Sequence, residues 1–125
     1  MTFATADTLN ACGFFDQQAK ELGFLRVEQA GAGSAQNDAT LVLGKLVVGT
    51  GGANTGFILP ANPKPGDSFI IINNDANTIR VYPPSGGAIN AGADNAHVTI
   101  ATELGRLFVC YIGGATPKYV SFLCA

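Results

Sequence analysis

The sequence predicts a mainly β protein, an antiparallel β-sandwich or Greek-key barrel with a short N-terminal helix or arm. Short runs rich in β-branched and aromatic residues recur along the chain, and such side chains fit a pleated sheet. Turns rich in Gly, Pro and Asn separate these runs and give about eight short strands. A length of 125 residues predicts a single structural domain.

The first predicted element is a helix that Asp7 or Thr8 could cap and that Gly23 would end. Gly13 inside it weakens the prediction, since Gly costs about 1 kcal/mol relative to Ala in a helix. An ordered arm that becomes fixed on assembly is the alternative. The apolar residues at helical spacing are Leu9, Cys12, Phe15, Ala19 and Leu22. Both interpretations place three aromatic side chains against an apolar surface: Phe3, Phe14 and Phe15.

Residues 24–29 alternate between apolar and polar side chains and predict a half-buried strand. Residues 41–48 predict another strand region, in which Gly44 marks a bulge, and residues 57–60 predict a short strand that stops at a proline. We therefore expect residues 1–33 to form the N-terminal arm or helix with the first strand, and residues 34–125 to form the β-domain.

Residues 69–84 form two β-rich runs joined by a polar turn, which predicts a hairpin at the centre of an antiparallel sheet. The run Ile70-Ile71-Ile72 is apolar on both faces, so either a second layer of the same chain or another subunit should cover it. The turn is rich in Asn and Asp, which favours Asx turns over a calcium site.

The C-terminal part predicts three more strands, at residues 97–101, 106–112 and 118–123. A glycine-rich crossing over residues 85–95 precedes them, and Ile89 is its one large apolar anchor. No repeat of useful period is evident in the sequence.

Charged residues make up only 13% of the chain and the mean hydropathy is +0.26, whereas charged residues form about 25% of typical soluble domains. A small monomer normally covers its large surface with such residues. The shortage predicts that partners cover much of the surface and that assembly is the working state.

Several kinds of partner and site are not expected. The seven basic residues are scattered, which argues against nucleic acid. The apolar runs are too short to cross a membrane as helices, and the N-terminus lacks a secretory signal, so we expect synthesis and folding in a cytoplasm. Three widely separated cysteines have neither metal-ligand spacing nor a disulfide framework, which favours a reduced core or interface.

No pattern indicates catalysis. The single histidine, His97, lies in no nucleophile motif, although it could meet Asp94 or Cys110 in space. The acidic residues never occur as a close pair. We therefore predict that the protein is not an enzyme and has no catalytic residue, cofactor or metal.

From about residue 57 to 108 the chain resembles a β-domain of small virion proteins of tailed bacteriophages, especially head decoration (cement) proteins. The residues that carry the resemblance are Phe57-Ile58-Leu59-Pro60, Gly66-Asp67, Asn73-Asn74, Val81-Tyr82-Pro83, Gly86-Gly87, Ile89-Asn90 and Phe108. The long N-terminal segment, residues 1–33, departs from the pattern, and it leaves open whether the protein binds the shell or belongs to a tail or fibre.

The resemblance implies a structural protein of the virion, a homotrimer on the capsid surface that contacts the major capsid protein. The alternative is a receptor- or glycan-binding fibre or tail module, for which Tyr82, Tyr111 and Tyr119 are the candidate aromatic residues. From position and apolarity, the candidate interface residues are Phe3, Phe14, Phe15, Tyr82, Ile89 and Tyr111.

Overall fold

The computed structural model describes residues 26–124, which form ten strands in two sheets. The strands are β1 (Arg26–Ala30), β2 (Thr40–Leu41), β3 (Leu46–Thr50), β4 (Gly56–Ile58), β5 (Ser68–Asn73), β6 (Ile79–Tyr82), β7 (Ala88–Ile89), β8 (Val98–Ile100), β9 (Gly105–Ile112) and β10 (Lys118–Cys124). Sheet A has the order β1-β3-β5-β9-β10-β7, and sheet B has the order β2-β4-β6-β8. The predicted mainly β class is confirmed.

The first six strands alternate between the two sheets. In sheet A, β1, β3 and β5 pair in parallel, and in sheet B, β2, β4 and β6 do the same. Arg26 pairs with Leu46 and Leu46 pairs with Ile70, so one turn of the chain takes 20 residues and the next takes 24. We call residues 26–82 the parallel coil, because each turn adds one strand to each sheet.

The hairpin predicted at residues 69–84 is wrong. Its two runs are β5 and β6, which lie in different sheets and do not pair. The polar turn between them carries the chain from one sheet to the other. Asn73 is completely buried at this corner. The Asn73 side-chain amide donates to the carbonyls of Asn77 and of Ile100 in β8, each at 2.8 Å. The prediction of Asx turns is confirmed, since Asn73 Oδ1 accepts the Asp75 N–H at 2.9 Å.

Every antiparallel pairing between the named strands involves β8 or β9. Strand β9 lies antiparallel to both β5 and β10, and β8 lies antiparallel to β6. The short strand β7, which contains the anchor Ile89, pairs in parallel with β10. Five of the eight strand pairings are parallel, so the sheets are mixed rather than purely antiparallel as predicted.

The core lies between the two sheets. Close packing there depends on Gly49 in β3, because a Cβ at this position would lie 2.9 Å from the ring of the fully buried Phe57. Gly44, predicted as a bulge, lies outside the strands, between β2 and β3. The core cluster consists of Val42, Val47, Phe57, Leu59, Phe69, Ile71, Ile79, Val81, Ile89, Ile100, Phe108, Cys110 and Tyr119.

The predicted N-terminal helix or arm lies outside the described residues, as do Phe3, Phe14 and Phe15. The strand predicted at residues 24–29 corresponds to β1, which forms one edge of sheet A. The segment expected as residues 1–33 therefore contributes a strand to the same sheet as the expected β-domain.

Candidate interaction surface

Sheet A has an apolar outer face as well as an apolar inner face. Side chains alternate between the faces of a sheet, and the core cluster takes Val47 of β3, Ile71 of β5 and Phe108 of β9. The alternate residues therefore point away from sheet B. Cross-strand pairing aligns four of them in one row over four neighbouring strands: Leu46, Ile70, Leu107 and Phe122. This row explains why the Ile70-Ile71-Ile72 run needs apolar side chains on both faces.

Exposure rises steadily along that row. Leu46 is 0% exposed and Ile70 is 3% exposed, Leu107 is half-buried, and Phe122 is 53% exposed. The outer face thus has a covered half on the parallel coil and an open half on the β9–β10 hairpin. We call the open half the hairpin stripe, and it consists of Leu107, Val109, Tyr111, Val120 and Phe122.

The hairpin stripe rests on a firmly held strand. Cys110 exchanges two backbone hydrogen bonds with the connector before β5, donating to the Asp67 carbonyl and accepting from the Gly66 N–H, both at 2.8 Å. Beyond the strand, the Gly114 N–H donates to the Pro63 carbonyl at 3.2 Å. Because both edges of β9 are also paired within sheet A, the stripe is presented on a preformed surface.

Two further apolar side chains are exposed near the two ends of the hairpin. Ile112 and Leu123 are each about half exposed, although alternation places them on the opposite face from the stripe. Ile112 lies at the turn end of the hairpin and Leu123 near its open end, so they form two separate exposed positions.

A separate apolar spot lies at the start of the coil. Leu43 is 71% exposed and Leu41 is half exposed. The Gln29 side chain holds this segment against β1, since its amide donates to the Leu41 carbonyl at 2.7 Å and its Oε1 accepts the Leu43 N–H at 3.0 Å. Gln29 thereby satisfies backbone groups beside an edge strand.

Of the predicted interface residues that the structure describes, only Tyr111 is exposed, at 48%. Ile89 belongs to the core cluster. Tyr82 is buried, and its hydroxyl donates to the Ser34 carbonyl at 3.2 Å. Ile89 and Tyr82 are therefore buried within the fold of the chain.

Sequence reasoning missed most of the hairpin stripe. The alternation of Leu107, Val109 and Tyr111 with the core residues Phe108 and Cys110 could have revealed its β9 part.

Burial shifts the pKa of three side chains in the described part of the chain: His97, Cys110 and Tyr119. The His97 ring lies edge-on to the Tyr82 ring, with centroids 5.2 Å apart, and partial desolvation and the Arg80 charge lower the pKa of His97. Cys110 is a free thiol in the core, and burial raises its pKa. Burial likewise raises the pKa of Tyr119. Within residues 26–124, no group of three or more His, Cys, Asp or Glu side chains is placed to hold a metal ion.

The cysteines follow the prediction only in part. Cys110 is the reduced, buried residue that was expected. Cys124, at the end of β10, is disulfide-bonded, contrary to the expectation that the cysteines form no disulfide framework. Cys124 is almost completely buried, and the wide spacing of the cysteines in the sequence gives no sign of the bond.

No helix within the described part of the chain is long and apolar enough to cross a membrane. No protein-family model matches the sequence, and no curated protein matches it either.

Proposed function

We propose that this chain is a structural protein of a bacteriophage virion, a capsid decoration (cement) protein that stabilises the head by burying area between capsid subunits. Its partner is the major capsid protein, and it acts as a homotrimer on the capsid surface after synthesis in the host cytoplasm. The observation that carries the proposal is the hairpin stripe, an apolar surface that is half exposed on a rigid strand pair.

The composition supports the same proposal. With charged residues at 13% of the chain, the molecule has few of the side chains that normally keep a small protein monomeric and dissolved. Large exposed apolar side chains, when they lie together, mark surfaces that bind other proteins. Tyr111 and Phe122 are aromatic, the type of residue enriched at such interfaces.

The energetics suit repeated weak contacts on a lattice. At about 25 cal/mol per Å², burial of ~300 Å² of apolar surface contributes roughly 7 kcal/mol before ordering costs. Those costs cancel much of the gross figure for one copy. A protein that binds many equivalent positions on a shell can still reinforce it, because each copy links neighbouring subunits.

The alternative of a glycan-binding module has less support. It depends on exposed aromatic side chains around a shallow site, and Tyr119 and Tyr82 are buried. Of its three candidate tyrosines, only Tyr111 remains at the surface.

The test is binding to expanded phage heads that lack a decoration protein. We expect the wild-type chain to elute as a trimer in light scattering, to sediment with the heads and to raise their melting temperature. Phe122→Asp should weaken head binding at least tenfold, because it places a charge in the apolar contact. Leu43→Asp is the matched control, as it introduces the same charge at an exposed apolar residue on another surface.

A monomeric wild-type protein that neither binds nor stabilises the heads would overturn the proposal. Equal loss of binding in the Phe122 and Leu43 variants would show that the hairpin stripe is not the contact. Melting curves of both variants establish that any loss comes from the surface and not from unfolding.

A further inference from the structure

A polar network joins the two sheets at one edge of the sandwich. Arg106 of β9 is paired with the core residue Ile71 of β5, so both side chains lie on the inner face of sheet A. The Arg106 Nε–H donates to the carbonyl of Thr99 in β8, the edge strand of sheet B, at 3.0 Å. Its Nη1 group donates to the hydroxyl of Ser121 in β10, also at 3.0 Å. The guanidinium therefore lies between β8 and β10.

Asn90 extends the network from the turn that follows β7. Its own N–H donates to the Tyr119 carbonyl at 2.9 Å. The Asn90 side chain bonds Ser121 twice, since Oδ1 accepts the Ser121 N–H and Nδ2 donates to the Ser121 hydroxyl, each at 2.7 Å. Because a backbone N–H can only donate, the first bond fixes which end of the amide faces the hydroxyl. Ser121 Oγ therefore accepts two hydrogen bonds, from Asn90 and from Arg106.

The groups that this network leaves over are all hydrogen-bond donors. A guanidinium carries five N–H donors, and within the described chain only two of those of Arg106 have acceptors. A serine hydroxyl has two lone pairs and one O–H donor. Both lone pairs of Ser121 are occupied, and its O–H has no acceptor among residues 26–124. Free donors of two side chains thus adjoin, with Arg106 Nη1 and Ser121 Oγ 3.0 Å apart.

The positive charge of Arg106 has no acidic partner in the part of the chain that the structure describes. The ion pair among those residues joins Arg26 to Glu28, at 3.0 Å. The Arg106 side chain is partly buried, and its two hydrogen bonds hold the planar guanidinium in one orientation. An anion that binds there has little side-chain freedom to remove, which favours binding.

We propose that Arg106 and Ser121 form a binding site for a carboxylate at the edge of the sandwich between β8 and β10. The two oxygens of a carboxylate match the planar donors of a guanidinium, and the Ser121 O–H supplies a further donor.

The surroundings narrow the choice of ligand. One guanidinium matches the single charge of a carboxylate, and the basic residues are scattered in the sequence rather than clustered as for a polyanion. Leu123 is paired with Arg106 across the hairpin and is 52% exposed. The ligand that fits is a carboxylate with an apolar neighbour, on an acidic side chain or at the C-terminus of a partner protein. The inference holds whether or not the protein binds a phage head.

The test is an NMR titration of the ¹⁵N-labelled full-length chain at constant pH and ionic strength. N-acetyl-leucine represents a chain end, the blocked peptide acetyl-Asp-Leu-amide represents an acidic side chain, and N-acetyl-leucinamide is the neutral control. We expect at least one of the two acids, and not the amide, to shift the Arg106 Nε–H and Ser121 N–H signals to saturation. The acid that binds more tightly identifies the source of the carboxylate.

Two variants and a control assign the site. Arg106→Gln should abolish the saturable shifts, and Ser121→Ala should weaken binding about three- to tenfold, the usual effect of one lost hydrogen bond. Arg80→Gln is the matched control, because Arg80 is also partly buried and donates to a carbonyl, that of Ser34, on another part of the surface. It should bind the acids like the wild type.

Shifts of equal size with the neutral amide would overturn the proposal, and so would an unchanged affinity in Arg106→Gln or an equal loss in Arg80→Gln. Inorganic phosphate is the last probe, and tighter binding of phosphate than of either acid would overturn the assignment to a carboxylate. Thermal melts show whether each variant folds. If Arg106→Gln does not fold, Ser121→Ala and the contrast between acids and amide decide.

Discussion

The two halves of the outer face of sheet A are alike in sequence and unlike in exposure. Both consist of aliphatic and aromatic residues in register, and one row runs through Leu46, Ile70, Leu107 and Phe122 without a polar interruption. On the parallel coil these side chains are buried, whereas on the hairpin stripe they are open.

The difference shows that an apolar strand face in this molecule is either packed within the chain or exposed at its surface. The covered half is buried, so its residues contribute to the stability of the chain itself. The hairpin stripe stays partly exposed in the chain, so burying it contributes nothing to the stability of the isolated chain. Measurements on the isolated chain should therefore separate the two halves.

The largest effect is expected inside the hairpin, where the same strands face the core. Phe108→Ala should lower the free energy of unfolding by about 3–5 kcal/mol, because Phe108 is completely buried between the sheets. Phe122→Ala, on the neighbouring strand and the open face, should cost less than ~1 kcal/mol. Urea denaturation of both variants tests the contrast, and similar losses would mean that the hairpin stripe is covered in solution.

The next prediction compares two leucines of one row. Leu46→Ala should cost about 2–5 kcal/mol, because Leu46 is completely buried in the covered half of the outer face. Leu107→Ala should cost roughly 1 kcal/mol, since its side chain is only partly removed from water. Thermal and urea unfolding measure both. Equal costs would break the distinction between the covered and open halves of the face.

A polar corner gives the third prediction. Asn73→Leu should lower the free energy of unfolding by about 2–4 kcal/mol, because it leaves the carbonyl of Ile100 and the N–H of Asp75 without the partners they have in the buried corner. Asn74→Ala is the control, since Asn74 is exposed, and should change stability by less than ~0.5 kcal/mol. A stable Asn73→Leu variant would show that packing alone turns the chain from one sheet to the other.

The smallest effect is expected at His97, which lies beside sheet B and away from both halves of the outer face. Desolvation and Arg80 lower the pKa of His97 below its ordinary value of 6.5. The unfolded chain then binds the proton more readily than the folded chain, so this part of the stability is complete above pH 6.5 and falls as the pH drops towards the folded pKa.

Urea midpoints measured from about pH 8 to pH 5 test this linkage. His97→Gln should flatten the pH dependence over that window while leaving the midpoint at the upper end nearly unchanged. Identical slopes for the wild type and the variant would show that His97 does not contribute to the pH dependence.

The sequence by itself determined the mainly β class, the approximate positions of most strands and the need for a cover on both faces of Ile70-Ile71-Ile72. These features are local. Side-chain alternation and β-branched residues define strands, and Asn73 with Asp75 defines Asx turns over a few bonds.

The tertiary structure decided which strands are neighbours and which apolar face stays open. A turn of five residues between β5 and β6 is compatible with a hairpin or with a crossing between layers, and the hydrogen bond from Asn73 to distant Ile100 selects the crossing. Likewise, Leu46 and Phe122 have similar hydrophobicity, and only their places in sheet A distinguish them. Pairing and burial depend on residues far apart in the chain, so local patterns constrain them weakly.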